Sequence, residues 1–167
     1  SAASDVYKRQ WMATSTFNMI VGREGRTLRD KWQQEGTKTF LGLHSEGFPN
    51  LFIVSGPQGG GGSFNFTNAI EEHGDYVVWM LSTMRDKGAD VVDVKSEPEE
   101  EYAAHCRQAD QLTRPLRDCI TYYNGHGEAE PGSLAYYGGG NWHKYRTRAQ
   151  QTLDPYEFES RSQIVDR

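Results

Sequence analysis

A chain of 167 residues is about one domain in length, and its 36% apolar, 25% charged and 12% aromatic residues suit a folded chain with a moderate core rather than a disordered one. The net charge of −5 offers no electrostatic footprint for nucleic acid or an anionic membrane, and no apolar run approaches the roughly 18 residues of a membrane span. Two cysteines, Cys106 and Cys119, give neither a disulfide framework nor zinc-ligand spacing.

Residues 1–10, SAASDVYKRQ, carry no pattern and are read as extraneous to the fold. The absence of a leader-like apolar segment gives the expectation of a cytoplasmic protein. Phe17, Met19 and Val21 alternate with their neighbours, and Gly22 to Gly25 supply turn residues, so this stretch reads as a strand and turn of a hairpin. TLRDKW, residues 27–32, offers a short amphipathic turn. Gly47, Phe48 and Pro49 make a turn ended by Asn50. The apolar run Leu51 to Val54 then reads as a strand buried on both faces.

After the glycines of GPQGGGGSFNF, residues 56–66, the period changes. Phe66, Ala69, Ile70, His73, Val77, Met80, Leu81 and Met84 fall at helical spacing. Asn65 is a suitable N-cap, Arg85 and Lys87 sit in the last turn, and Gly88 suits C′, which predicts a helix of about twenty residues. DVVDV, residues 90–94, is a short strand. Ser96 and Glu99 form a capping box with Pro98 in the first turn, and a second helix is predicted to Thr113 with Tyr102, Cys106, Ala109 and Leu112 as its stripe. Pro115 closes it. EPEEEY, residues 97–102, is a solvated first turn that favours the helix dipole.

From Asp118 the chain is rich in aromatics and glycine, and Asn124, Gly125, Gly127, Pro131 and Gly132 oppose regular structure. SLAYY, residues 133–137, is a further strand candidate, and residues 142–150 a short helix. The five histidines show no metal-binding spacing, and His73 reads as a satisfied core histidine. His105 and Cys106 diverge on a helix and form no thiolate pair. The sequon Asn65-Phe66-Thr67 has no meaning without a secretory signal.

Gly59 to Ser63 pose one question. They are either a flexible linker between modules or a loop that brings backbone N–H groups close to a ligand. A linker needs a foldable unit on each side, and only about fifty residues precede this one. A glycine loop leading into a capped helix is instead an arrangement suited to an anionic or electron-rich ligand. The stretch lacks the Lys-Ser/Thr of a P-loop and is no GxGxxG fingerprint.

Four stretches in one order carry a resemblance: GRTLRDKW at 25–32, LGLHSEGFPNLFIVSGPQ at 41–58, SFNFTNAIEEH at 63–73 and YYGGGNWHKYR at 136–146. Together, over residues 11 to 159, they resemble the C-terminal quarter of Baeyer–Villiger-type flavin monooxygenases. The resemblance implies an α/β fold: the C-terminal part of a Rossmann-like FAD-binding domain at 11–116, an irregular loop or lid segment at 117–159 and a tail at 160–167, incomplete as a domain. It implies FAD and NADP as cofactors, a small-molecule ketone as substrate, and upstream FAD and NADP domains as the missing partners. The glycine fingerprints, the long family motif and the active-site arginine all belong to that upstream part, so no catalytic residue is expected here.

In enzymes of this type NADPH reduces FAD, O2 is captured as a C4a-peroxyflavin, and oxygen is inserted beside a ketone carbonyl. The resemblance assigns Gly56, Pro57 and Gly62 to the chain path beside the flavin. It assigns Asn65, Phe66 and Thr67 to backbone contact with the flavin's electron-rich edge. Ser63 and Phe64 border the substrate, and Tyr122, where the family often has Trp, lies on the mobile lid. A monooxygenase oxidising nitrogen or sulfur is the close alternative, and a non-catalytic binding module the alternative of another class.

Overall fold

The computed structural model describes residues 15–59, 65–110 and 141–160. It is a mixed helix and strand structure. Helix α1 spans Ser15–Met19 and is followed by a 3-10 turn at Arg23–Gly25. Helix α2 is Leu28–Glu35, α3 Phe66–Lys87, strand β1 Val91–Val94, helix α4 Ser96–Asp110, helix α5 Asn141–Thr152 and strand β2 Tyr156–Glu159.

The long helix forms as its sequence predicts. Asn65 Oδ1 accepts the Thr67 N–H at 3.1 Å, and Gly88 closes the far end in the left-handed region at φ 64°. Its inner face buries His73, Tyr76, Met80 and Met84, while Ile70, Val78 and Leu81 on the flank stay exposed. The buried side chains join Phe40, Leu41 and Leu43, the strand residues Val92 and Val94, Tyr102 and Cys106 of α4, and Trp142, Ala149 and Tyr156 in one core. Residues 141–159 therefore share a core with the preceding elements. The short helix expected at 142–150 is α5.

The one sheet among the described residues is a two-stranded antiparallel ribbon. Val91 pairs with Glu159 and Val94 with Tyr156. β1 follows the expected DVVDV strand, whereas β2 was not anticipated. Arg23 bridges the early turn to both strands, reaching Asp93 at 3.1 Å and Glu159 at 2.7 Å.

Three local expectations are corrected. Phe17 and Met19 lie on α1, not on a strand. Phe17 stacks edge-on against Trp32 at 5.1 Å, and Ile20, just beyond the end of α1, packs into the same small cluster. The turn after Val21 is present, with Val21 bridged to Thr27. TLRDKW opens α2, where Thr27 accepts the Asp30 N–H as an N-cap.

Leu51–Val54 is not a strand. Residues 51–53 are half-buried, Val54 is exposed, and the segment is tied by single bonds, Ile53 N–H to Leu43 O at 2.8 Å and Asn50 N–H to Val92 O at 2.9 Å. Asn50 and Ser55, at φ 59° and 56°, bracket it in the left-handed region and turn the backbone out of any ladder.

The capping box at Ser96 does not close. The Glu99 carboxylate turns away to Lys31 Nζ at 2.8 Å and the Glu46 N–H at 3.0 Å, because a buried ammonium outbids an exposed amide for it. Thr113, Leu112, Pro115, Cys119 and the SLAYY strand lie outside the described residues. Cys106 is buried, and burial pushes its thiol up to about 12.

Candidate functional site: the glycine loop and the start of the long helix

The path into the glycine stretch is anchored at every residue from Ser55 to Gly59. The Gly56 N–H donates to Ile53 O at 3.2 Å and the Gly59 N–H to Gly56 O at 3.0 Å, which makes two successive turns. Pro57, Gln58 and Gly59 are buried. The Thr39 hydroxyl donates to Pro57 O at 2.7 Å. Gln58 Oε1 accepts the Thr39 N–H at 3.0 Å, its Nε2 donates to Thr37 O at 3.2 Å, and Tyr102 donates its hydroxyl proton to Gln58 O at 2.7 Å.

Glycine is required here by close backbone approach. A Cβ on Gly42, which sits at φ 69°, would lie 2.0 Å from Gly59 Cα, and a Cβ on Gly56 would lie 2.5 Å from Gly42 O. The Phe40–His44 turn and the Ser55–Gly59 turn thus lie backbone against backbone. Gly59, the first residue of the apparent linker, is part of this packed unit. A free linker does not behave this way, so the first part of the stretch is a fixed platform.

The chain re-enters the described region at Asn65. Asn65, Thr67 and Asn68 are exposed. The first turn of α3 carries no acidic side chain, and both basic residues of its ends sit in the last turn. The positive end of its dipole is therefore not offset by an acid within that turn. Asn65 Oδ1 engages both the Thr67 N–H at 3.1 Å and the Thr67 hydroxyl at 2.7 Å, so the Thr67 N–H is spent on the cap.

Of the residues singled out in the sequence, Gly56 and Pro57 lie in the platform, and Asn65, Phe66 and Thr67 form the helix start. Gly62, Ser63, Phe64 and Tyr122 lie outside the described residues, as does the side chain of Phe66. His73 is the satisfied core histidine that was expected, but its part in this platform was missed, as were those of Thr39, Gln58 and Tyr102. Nothing local marks them, because their partners lie 14 to 44 positions away in sequence. An open cleft of about 320 Å³, lined by Lys95, Glu97, Glu101, Tyr145, Arg148 and Asp154 among others, lies at the start of α4 and includes no residue of the glycine loop. Two pairs of its polar groups are satisfied within it, Lys95 Nζ donating to Asp154 O and Arg148 pairing with Glu101.

Among the described residues no helix is long and apolar enough to cross a membrane. No family model matches the chain. It is 30% identical over 124 residues to the Baeyer-Villiger monooxygenase peniC of Penicillium patulum, covering 71% of this chain and 20% of that protein. It is 33% identical over 140 residues to a Baeyer-Villiger monooxygenase of Streptomyces coelicolor, covering 81% of this chain and 23% of that one. Its backbone matches the structure of an oxidized steroid monooxygenase bound to NADP with a TM-score of 0.71 at 26% identity, over 84% of this chain and 26% of that one. By sequence and by backbone this chain matches a segment of Baeyer–Villiger-type monooxygenases, spanning about a fifth of the length of the curated relatives it matches.

Proposed function

We propose that the chain is the C-terminal portion of an NADPH- and O2-dependent flavin monooxygenase that inserts oxygen beside a ketone carbonyl. In this reading residues 11–116 complete a Rossmann-like FAD domain, and the segment 117–159 closes over cofactor and substrate while anchored in the shared core through residues 141–159. The observation that supports it is the fixed Ser55–Gly59 platform leading to a helix whose first turn carries no acid.

FAD, when bound and reduced by NADPH, supplies the oxygen-activating chemistry. This chain's residues place it. Gly56 and Pro57 hold the backbone path beside the isoalloxazine, and the platform under them keeps that path rigid through Thr39, Gln58 and Tyr102. The start of α3, Asn65 to Thr67, would hold the electron-rich edge of the flavin. Its dipole is worth roughly 0.3–1 kcal/mol to a negative charge when exposed and up to ~2 when partly buried. By the resemblance alone, Gly62 would let the chain approach the ring, Ser63 and Phe64 would border the substrate, and Tyr122 would belong to the covering segment.

The test is purification of the full-length protein that carries this sequence. It should be yellow with FAD, consume NADPH and O2 with a cyclic ketone, and release a lactone. Turnover confined to amines or sulfides would replace the ketone reading with heteroatom oxidation. A colourless protein that takes up no FAD would overturn the flavin reading altogether. The 167-residue chain alone should give no turnover above a flavin-only control, since it carries neither dinucleotide fingerprint.

A further inference from the structure

We propose that His73 is a positioning residue of the flavin site: its imidazole clamps both ends of the Ser55–Gly59 turn and so fixes where the glycine loop leaves the platform. The inference rests on the reading of that loop as a flavin cradle.

His73 lies two turns into α3 and is 1% exposed. Its Nδ1 lies 2.9 Å from the Ser55 amide nitrogen, and its Nε2 lies 2.9 Å from Gly59 O. These partners decide the tautomer. The Ser55 N–H can only donate, so Nδ1 carries the lone pair. The Gly59 carbonyl can only accept, so Nε2 carries the proton. One neutral ring therefore satisfies two backbone groups four residues apart. Burial acts in the same direction by disfavouring the charged ring.

The ring itself is held. Trp142 of α5 stacks on it at 5.5 Å and 29°, and the Trp142 indole N–H donates to Leu41 O at 3.0 Å. The loop sits against the ring edge: a Cβ on Gly59 would lie 2.8 Å from His73 Cε1. The clamp adds the two end contacts to a turn whose middle is held by Thr39, Tyr102 and the Gly59 N–H to Gly56 O bond. Ser55 is a non-glycine residue at φ 56°, a conformation that persists only where its surroundings enforce it. Releasing the imidazole would leave a buried carbonyl at Gly59 without that partner and free the backbone at the point where it enters the glycines.

The requirement is for one acceptor and one donor on a single side chain. Glutamine meets it with its amide, whereas leucine fills the space and meets neither half. The test compares the full-length protein as wild type, His73→Gln, His73→Leu and Gly59→Ala. Gly59→Ala keeps the imidazole but pushes the turn off the ring edge and off Gly56 O and Gly42 Cα, which its methyl would meet at 2.9 and 3.2 Å. FAD affinity of each apoprotein is read by fluorescence titration beside its thermal midpoint. We expect His73→Leu and Gly59→Ala to weaken FAD binding by about tenfold or more, the scale of one or two lost buried hydrogen bonds, and His73→Gln to stay within about threefold of wild type.

If His73→Gln and His73→Leu weaken FAD equally, only ring packing matters and the inference falls. If all four forms bind FAD alike, the clamp has no role in cofactor placement and the inference falls while the flavin reading stands. If the wild type takes up no FAD, the cradle reading itself is wrong. Should His73→Leu fail to fold, Gly59→Ala carries the test: unchanged FAD affinity in that variant overturns the inference.

Discussion

Lys31 Nζ lies 2.8 Å from Glu99 Oε2, and each side chain is only 1% exposed. The ammonium also donates to Glu46 O at 2.7 Å, and the Glu46 N–H donates to Glu99 Oε1 at 3.0 Å. α2, the turn at Glu46 and the start of α4 are thus joined through one desolvated pair, whose charges are tolerable only because each is hydrogen-bonded. Removing one partner strands the other. Lys31→Met should destabilise the protein by about 3–5 kcal/mol, whereas Lys31→Met combined with Glu99→Leu should recover much of that loss. Urea unfolding of the two variants checks this. A single variant no weaker than the double would show that the pair is not coupled.

His44 gives stability a pH dependence. It is buried among the rings of Phe52, Tyr76 and Tyr156, at centroid distances of 5.0, 6.3 and 5.2 Å, and its Nε2 has no hydrogen-bond partner among the described residues. Burial pushes its pKa down from 6.5 to about 3, against the smaller opposing effect of a backbone bond to Leu51. A lowered folded-state pKa means that the unfolded chain takes up the proton first. The stabilising contribution is therefore complete above pH 6.5 and is lost as pH falls towards 3, at about 1.4 kcal/mol per pH unit. His73, also lowered by burial, adds to the same slope. In His44→Phe the acid slope between these limits should decrease by about one proton, measured by urea midpoints at several pH values. An unchanged slope would place the titration elsewhere.

How far the sequence could be read depended on the range of the forces involved. α3 was legible from end to end, because Asn65, the 3.6-residue period and Gly88 act on adjacent turns. β1 and α5 were legible for similar local reasons. Leu51–Val54 was misread because an apolar run states only that burial is wanted. Asn50 is marked as a turn residue, but Ser55, a non-glycine in the left-handed region at φ 56°, carries no local mark. Glu99 satisfied a capping pattern on paper, yet its carboxylate is held by Lys31, 68 residues away. The site divides in the same way. The helix start could be located from its cap, while the platform beneath the glycines is built by Thr39, Gln58, Tyr102 and His73. Their types are ordinary, and their roles exist only once the chain is folded.

The cap and the proposed cofactor contact at Asn65 can be separated by charge. Asn65 Oδ1 caps α3 by accepting the Thr67 N–H, so Asn65→Ala should cost about 1 kcal/mol of stability. Asn65→Asp keeps an equivalent acceptor and adds a negative charge at the positive end of the helix, which favours the helix itself by a few tenths of a kcal/mol or more. If that end of α3 faces the pyrimidine edge of FAD, the same charge repels the flavin once reduction makes that edge anionic. The expected pattern is opposite in sign for the two properties. Asn65→Asp should melt at or above the wild-type temperature, yet hold reduced FAD more weakly and lower its reduction potential. Asn65→Ala should melt lower with a smaller change in potential. Redox titration of the full-length protein alongside thermal melts distinguishes these. An Asn65→Asp variant with an unshifted potential would leave Asn65 as a cap alone and move the flavin away from the start of α3.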